Sequence, residues 1–298
     1  MTFRAPLKKP YGVAPSPHLV GGKARDLWDG LAFITPFTNK KGAGASGILD
    51  QHGRPLAGAN LVESAAFQWR GTPYGLGFGR TGTGNTLILS QTNFAPIVTS
   101  DGAGTGDFTF IMLANPIAEN VIATGFNQSV DGGSTSYMAL NFNHNSSGAA
   151  TAGWLMLYTR DTANGNQGVG LAGLVDGGYH LYGARRKGTA VSVWRDGVNH
   201  KTATGTARDI YVSGTSDLAF GSNAVTGASA IKNTTNIVFA AGWNEARSDD
   251  DMRLLGGDPF IMVRADNVKK YYFPTAPPVP PEIYYNPMLA SVGRMMNR

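Results

Sequence analysis

The chain has 298 residues, no cysteine and a formal net charge of +5 at pH 7. The lack of cysteine excludes disulfides and thiolate metal sites. So mild a charge also disfavours a nucleic-acid-binding surface, which needs a dense basic stripe. Glycine occurs 40 times and glutamate only four times, a composition that favours turns over helices and is typical of an all-β chain.

Residues 1–24 are predicted to form an extended arm outside the folded domain. They contain four prolines: Pro6, Pro10, Pro15 and Pro17. Because proline fixes φ and lacks a backbone donor, this stretch is not expected to pair in a sheet.

All-β sandwiches of about 200–250 residues commonly form one domain. We therefore expect one sandwich over residues 25–273, followed by a second arm over residues 274–298.

Three short segments in the middle of the chain are predicted to be strands. They are Phe108–Leu113, Tyr137–Phe142 and Trp154–Thr159. Each is rich in aromatic and branched residues and is flanked by glycine, asparagine or aspartate. Their apolar residues fall on both faces more often than they alternate. Several of these strands should therefore be covered on both sides, as in the middle of a sandwich.

Residues 179–201 contain two turn signals and predict three consecutive antiparallel strands. The first signal is Lys187-Gly188. The second is Asp196-Gly197, a dipeptide that tolerates the positive φ of both central residues in a type I′ turn. The basic triplet of residues 185–187 borders the first turn and is expected on a solvated loop. Further strands are predicted at Leu218–Gly221 and Ile237–Trp243.

A short helix is predicted directly after the strand that ends at Trp243. Ser248 is placed to cap it, and Asp251 lies three residues later as the partner in a capping box. The aspartates of the first turn face the positive end of the helix dipole. Gly256 and Pro259 are expected to end the helix.

These segments, taken in order, resemble a known family. The pattern comprises Phe-Thr-Phe at 108–110, Trp-Arg-Asp-Gly-Val at 194–198, Leu-Ala-Phe-Gly at 218–221, Ser-Asp-Asp-Asp-Met at 248–252 and Asp-Pro-Phe at 258–260. Over residues 25–265 it is similar to the laminin-G or concanavalin-A-like jelly-roll domain, and more narrowly to the version found in bacteriophage virion proteins. The resemblance implies an all-β, concanavalin-A-like (laminin-G-type) jelly-roll sandwich with one short helix near the C-terminus and extended terminal arms.

The predicted C-terminal arm begins with a proline-rich spacer and continues into a short amphipathic helix. Its large apolar residues are predicted to bind a partner: Ile283, Tyr284, Tyr285, Met288, Leu289, Val292, Met295 and Met296. A helix of about 12 residues is marginal alone in water. The arm is therefore expected to order only in a groove, either on a partner or on its own sandwich.

Motifs for chemistry are missing from the sequence. Retaining glycoside hydrolysis needs paired carboxylates, whereas the four glutamates are isolated: Glu63, Glu119, Glu245 and Glu282. The five histidines are far apart, and no P-loop ending occurs. We expect no catalytic residues, no cofactor and no metal site. No run approaches the roughly 20 apolar residues of a membrane helix, and no export leader follows Met1, so we expect no membrane association.

The sequence therefore predicts a non-enzymatic structural protein of a bacteriophage virion, assembled in the host cytoplasm. The predicted role is head decoration or minor capsid protein, with the major capsid protein as main partner, homo-oligomerisation, and no binding of nucleic acid. The alternative is a carbohydrate-binding adhesin that recognises host-surface glycans. Its binding residues would be exposed aromatics such as those of the segment Trp69–Tyr74.

Overall fold

The computed structural model describes residues 26–36, 60–62, 67–80, 88–90, 106–130, 136–160, 166–205, 216–221 and 235–262. The chain divides into two compact units, Met1–Ala265 and Asp266–Arg298. The second unit lies outside the described residues. Both predicted arms, residues 1–24 and 274–298, also lie outside them.

The described residues form fifteen strands and one helix. In chain order the strands are β1 (Leu31–Pro36), β2 (Asn60–Val62), β3 (Phe67–Thr72), β4 (Gly75–Arg80), β5 (Ile88–Ser90), β6 (Phe108–Ala114), β7 (Ala123–Val130), β8 (Ser136–His144), β9 (Ala150–Arg160), β10 (Asn166–Leu171), β11 (His180–Lys187), β12 (Ala190–Arg195), β13 (Val198–Thr204), β14 (Ser216–Phe220) and β15 (Asn236–Trp243). Helix α1 spans Asp249–Gly257. The predicted central strands, the hairpin strands and the short helix are all confirmed.

The strands form two antiparallel sheets. The first sheet has the order β13-β12-β11-β6-β15-β4-β3, and the second has the order β10-β9-β8-β7-β14-β5-β2. Strand β15 pairs with β4 at Asn236 and Ile237, and with β1 from Phe239 to Trp243. Strands that are neighbours in a sheet are therefore often distant in the chain, and the first sheet brings the hairpin of residues 67–80 next to the start of β15.

The core between the two sheets is built on aromatic side chains. The rings of Phe110 and Phe126 stack with centroids 3.9 Å apart, and Phe220 lies 5.8 Å from both Phe126 and Phe33. All four side chains are fully buried. Burying a large apolar side chain stabilises a fold by about 1.5–3 kcal/mol, so this cluster fixes the packing of the sheets. The all-β sandwich predicted from the sequence is confirmed.

The outer face of the first sheet is covered by a second apolar layer. Its buried side chains include Trp28, Ile111, Leu113, Trp243, Met252 and Leu255. Trp28 donates its indole N–H to the carbonyl of Met262 (3.1 Å), and Trp243 donates to the carbonyl of Leu27 (2.8 Å). All seven residues of β6 are buried as a result. The prediction of strands covered on both faces is thus confirmed, with α1 and the flanking segments as the outer cover.

Helix α1 begins as the sequence predicts and ends differently. Ser248 accepts from the amide of Asp251 (3.1 Å), and Asp251 accepts from the amide of Ser248 (3.2 Å), which completes the capping box. The prediction that Gly256 ends the helix is wrong by one residue, because α1 continues through Gly257 and is capped by Asp258, whereas Pro259 follows the cap directly, as predicted. Gly256 instead lies against the hairpin turn between β12 and β13.

The prediction for the basic triplet is wrong for two of its three residues. Lys187 pairs with Ala190, so the turn falls on residues 188–189 and the triplet belongs to β11. Arg185 and Arg186 are buried, and only Lys187 is exposed. Arg185 donates to Asp249 (2.6 Å) and to the carbonyl of Arg247 (2.9 Å), which fastens α1 to the sheet. The turn begins one residue later than predicted, and Arg185 and Arg186 lie within the sheet.

The second turn is the predicted one. Arg195 pairs with Val198, which leaves Asp196 and Gly197 as the two central residues. Their φ values are 52° and 77°, the pair of positive angles that defines a type I′ turn.

In the part of the chain that is described, no helix has the length and hydropathy to cross a bilayer.

Candidate functional site

Five polar and aromatic side chains meet on the outer face of the first sheet, beside the turn that follows α1. They are Arg70, Thr72, Tyr74, Tyr179 and Asn236, and we call this group the Tyr179 surface. Strand β3 and its hairpin supply the first three, the residue before β11 supplies Tyr179, and β15 begins with Asn236. The surface therefore joins three segments that are distant in the chain.

Glycines in β4 make this meeting sterically feasible. Along β4, Gly75, Gly77 and Gly79 alternate with larger residues. A Cβ on Gly79 would lie 2.9 Å from Nη1 of Arg70 and 3.0 Å from Oδ1 of Asn236. With no side chain in that position, Arg70 reaches across β4, and its Nη1 lies 3.5 Å from the side-chain oxygen Oδ1 of Asn236.

The two tyrosines form an aromatic pair. The rings of Tyr74 and Tyr179 have centroids 5.3 Å apart at an angle of 65°, and Tyr74 also stacks on Phe260 at 6.0 Å. Both tyrosines are only partly buried. Asn236 donates its amide to the Tyr179 hydroxyl (3.3 Å). Edge-to-face pairs of this kind are favourable and hold the rings in fixed orientations.

Both hydroxyl groups of the pair are neutral at pH 7. Burial raises the pKa of Tyr74 above its usual value, and the Asp196 carboxylate raises it further. Burial likewise raises the pKa of Tyr179, although its hydrogen bonds with Asn236 and Thr72 oppose the rise. Each hydroxyl therefore keeps its proton, and an uncharged phenol can both donate and accept hydrogen bonds.

A second cluster, the His180 network, consists of Asp176, His180, Arg195 and Asp196. Nδ1 of His180 lies 2.6 Å from Oδ2 of Asp196, and Nε2 lies 3.1 Å from Oδ1 of Asp176. Arg195 places Nη2 at 2.7 Å from both Nε2 of His180 and Oδ2 of Asp176. Although partial burial alone would raise it, the pKa of Asp176 is lowered by the Gly178 amide and by His180 and Arg195.

This network anchors the loop of residues 172–178, which precedes Tyr179. Nη1 of Arg195 donates to the carbonyls of Gly173 (3.2 Å) and Leu174 (3.0 Å). The amide of Gly178 donates to Asp176 (2.9 Å). Both ring nitrogens of His180 are engaged, so neither is available to a substrate in this arrangement. The His180 network therefore cross-links this loop to β11 and β12, next to the Tyr179 surface.

The two aromatic residues predicted for the adhesin alternative lie on opposite faces of the first sheet. The segment Trp69–Tyr74 forms strand β3 and its turn and is not a loop. Trp69 is partly buried and packs against the core between the sheets, so it is not part of the outer face. Tyr74 lies on the outer face with Tyr179.

Other predicted positions are apart or outside the described residues. The eight apolar residues from Ile283 to Met296 lie outside. Of the glutamates, Glu63 and Glu282 also lie outside, whereas Glu245 is beside Thr109 at the start of β6 and Glu119 follows the end of that strand. Within the described ranges, no three acidic or histidine side chains form a cluster suited to a metal ion.

Comparison with known proteins identifies a fold and no family. No protein-family model matches the sequence, and no curated protein matches it. Similar solved structures include the botulinum neurotoxin serotype G binding domain, with a TM-score of 0.52, 10% identity, and coverage of 76% of this chain and 50% of that chain. The binding domain of Paraclostridial Mosquitocidal Protein 1 gives a TM-score of 0.56, 12% identity, and coverage of 78% and 53%.

A third similar structure is the binding domain of botulinum neurotoxin DC in complex with rat synaptotagmin II. It has a TM-score of 0.51 and 9% identity, covering 77% of this chain and 51% of that chain. The chain thus spans about half the length of the solved chains it matches. At such low identity the likeness shows the fold alone, an all-β two-sheet sandwich. It gives no support to the bacteriophage laminin-G assignment, and the narrower concanavalin-A-like class stays a prediction.

Proposed function

We propose that this chain is a non-catalytic binding module that recognises a glycan through the Tyr179 surface. The observation that carries the proposal is the partly exposed pair of Tyr74 and Tyr179 rings beside Arg70 and Asn236. A sugar ring offers C–H groups on its faces and hydroxyls at its edge. Aromatic rings pack against the C–H groups of the sugar, and planar amide and guanidinium groups form hydrogen bonds with its hydroxyls.

The surface is preorganised, which favours binding. Thr72 accepts from the amide of Tyr74 (3.1 Å) and donates to the carbonyl of Gly75 (2.8 Å), so the hairpin that carries Tyr74 is fixed. Asn115 accepts from the backbone amide of Asn236 (2.6 Å) and fixes the start of β15. Little conformational entropy is lost when a ligand meets side chains already held on strands.

The fold comparisons agree with a role in recognition. The similar solved structures are titled as binding domains, and one of them is a complex with a protein receptor. Those activities belong to those proteins. They nevertheless favour the adhesin alternative over head decoration, which has no support among the matches. The virion location, the major capsid protein as partner and homo-oligomerisation stay predictions.

A glycan array probed with the purified chain tests the proposal. We expect binding to a subset of glycans, and we expect Tyr179→Ala to weaken it by at least about tenfold, equivalent to about 1.4 kcal/mol. Tyr158→Ala is the matched control, because it removes a partly exposed tyrosine from β9 in the other sheet. Binding that survives Tyr179→Ala, or an array without any bound glycan, would refute the assignment.

A further inference from the structure

We infer that the edge of strand β13 is a site of self-association, and that Lys201 blocks it by keeping β13 from pairing with the same strand of a second copy of this chain. Strand β13 is the last strand of the first sheet and pairs with β12 alone among the described strands. Six of its seven residues are exposed. A free strand edge presents unpaired N–H and C=O groups and accepts another strand, so folded proteins protect such edges.

The composition of β13 suits strand pairing except at one residue. Its range, Val198–Thr204, includes three β-branched residues that favour strands: Val198, Thr202 and Thr204. Lys201 is the one lysine, arginine or acidic residue in β13. Strand β10, the edge strand of the second sheet that lies beside β13, has none. The formal charge that opposes pairing along this side of the sandwich therefore belongs to a single side chain.

Lys201 is the middle residue of β13, which matters when the strand meets an identical one. Two copies that pair antiparallel over the full length of Val198–Thr204 place residue 198 opposite residue 204, and Lys201 opposite Lys201 of the second copy. Directly opposite side chains lie on the same face with Cβ atoms about 4.5–5.5 Å apart, where like charges repel. The register with the greatest overlap therefore brings two ammonium groups together.

The Lys201 side chain is held at this edge by a hydrogen bond. It points between the sheets, because residue 201 pairs with the core residue Val193. Its Nζ donates to the carbonyl of Gly170 in β10 (3.0 Å). Further along β10, Nε2 of Gln167 donates to the carbonyl of Thr189 (3.2 Å). An inward-pointing charge on an edge strand is a known protection against strand addition.

A β-bulge gives β13 a second protection that carries no charge. The pairing of β13 with β12 shifts register between Asn199 and Lys201, which leaves His200 as the extra residue. Bulges bend an edge and interrupt its ladder. Burial lowers the pKa of His200, and Arg195 lowers it further, so this side chain is neutral at pH 7. Lys201 is thus the electrostatic part of the protection, and a single substitution removes it.

Sedimentation of the full chain over a range of concentrations tests the inference. Lys201→Thr should raise the self-association constant at least about fivefold over the wild type, as expected when two opposed like charges are removed. Lys201→Gln should do the same, although it keeps an N–H donor for Gly170, and Lys201→Arg should behave as the wild type. Lys187→Thr is the matched control, because it removes an exposed lysine from β11, which is not an edge strand.

Deuterium exchange locates the contact. In the associated Lys201→Thr variant the amides of β13 should become protected, and those of the exposed residues 146–149 should not. No gain in association, an equal gain in Lys187→Thr, or association that leaves β13 unprotected would each overturn the inference. A gain in Lys201→Thr without one in Lys201→Gln would trace the effect to the lost bond to Gly170 and would also overturn it.

The design isolates the edge of β13 from other causes. Each variant is compared with the wild type, so association through other segments of the chain cancels. Where Lys201→Thr fails to fold, Lys201→Gln decides the test. Glycan affinity is not a readout, so the outcome is independent of the proposed function.

Discussion

Gly197 and Gly256 contact each other through their backbones. A Cβ on Gly256 would lie 2.2 Å from the backbone nitrogen of Gly197, and a Cβ on Gly197 would lie 2.8 Å from the carbonyl oxygen of Met252. The contact joins the type I′ turn between β12 and β13 to the helix that covers the first sheet. Two glycines therefore set how closely α1 approaches the hairpin.

Gly256→Ala should destabilise the fold by about 1–3 kcal/mol, because the added methyl meets backbone atoms that cannot rotate away. Gly257→Ala is the matched control in the next position of the helix, where an added Cβ meets nothing within 4 Å. It should stabilise the fold by about 0.5–1 kcal/mol through helix propensity. Urea denaturation of both variants measures the difference. Equal effects would show that the contact with Gly197 is not tight.

Tyr182 should make stability decline in alkaline solution. Burial raises the pKa of its hydroxyl far above the usual range, and the side chain is fully buried. The unfolded chain releases this proton near pH 10 while the folded chain retains it, so the free energy of unfolding falls as pH rises above about 10. Replacing Tyr182 by Phe should remove that part of the decline.

At pH 7 the same Tyr182→Phe variant should be nearly as stable as the wild type, within about 1 kcal/mol. Its hydroxyl is buried without a hydrogen-bond partner among the described residues. Chemical denaturation at pH 7 and at pH 10.5 gives both comparisons. The contributions of the other tyrosines to the pH dependence cancel, because only the difference in the free energy of unfolding between variant and wild type is used. A large loss at pH 7 would reveal a hydrogen bond to this hydroxyl.

The sequence predicted the local elements well because their signals are local. Ser248 and Asp251 specify the start of α1, and Asp196-Gly197 specifies the type I′ turn. The errors came from contacts made at a distance. Gly256 was predicted to end the helix because the sequence does not reveal that this position packs against the turn between β12 and β13. The triplet of residues 185–187 looked exposed because the sequence does not reveal that Arg185 reaches Asp249 and Arg247, and because the turn that follows the triplet was placed one residue early.

The Tyr179 surface could not be predicted, because it depends on the strand order β3-β4-β15-β6-β11. That order brings Arg70, Tyr179 and Asn236 together across more than 160 residues of chain, as the 166-residue separation of Arg70 and Asn236 shows. The alternation of glycine along residues 75–79 was the available signal of an approach across β4. The His180 network was more accessible, since the correct hairpin register places His180 beside the Asp196 turn.

The predicted C-terminal arm needs its own test. Deleting residues 274–298 should preserve the cooperative melting of the sandwich and remove association with a partner or with other copies. Met288→Asp together with Met295→Asp should have the same effect, because two charges would be desolvated in an apolar groove at a cost of several kcal/mol. Thermal melting and sedimentation check both. Unfolding of the truncated chain would show instead that the arm belongs to the core.

Glycan recognition by the Tyr179 surface is tested most directly by NMR chemical-shift mapping. A glycan selected on the array is added to the intact chain, and the residues whose shifts change locate its binding site. We expect the largest shifts at the ring protons of Tyr74 and Tyr179 and at the side-chain amide of Asn236. Shifts confined to another region, such as the loop with the exposed side chains of Ile117 and Val121, would contradict this expectation.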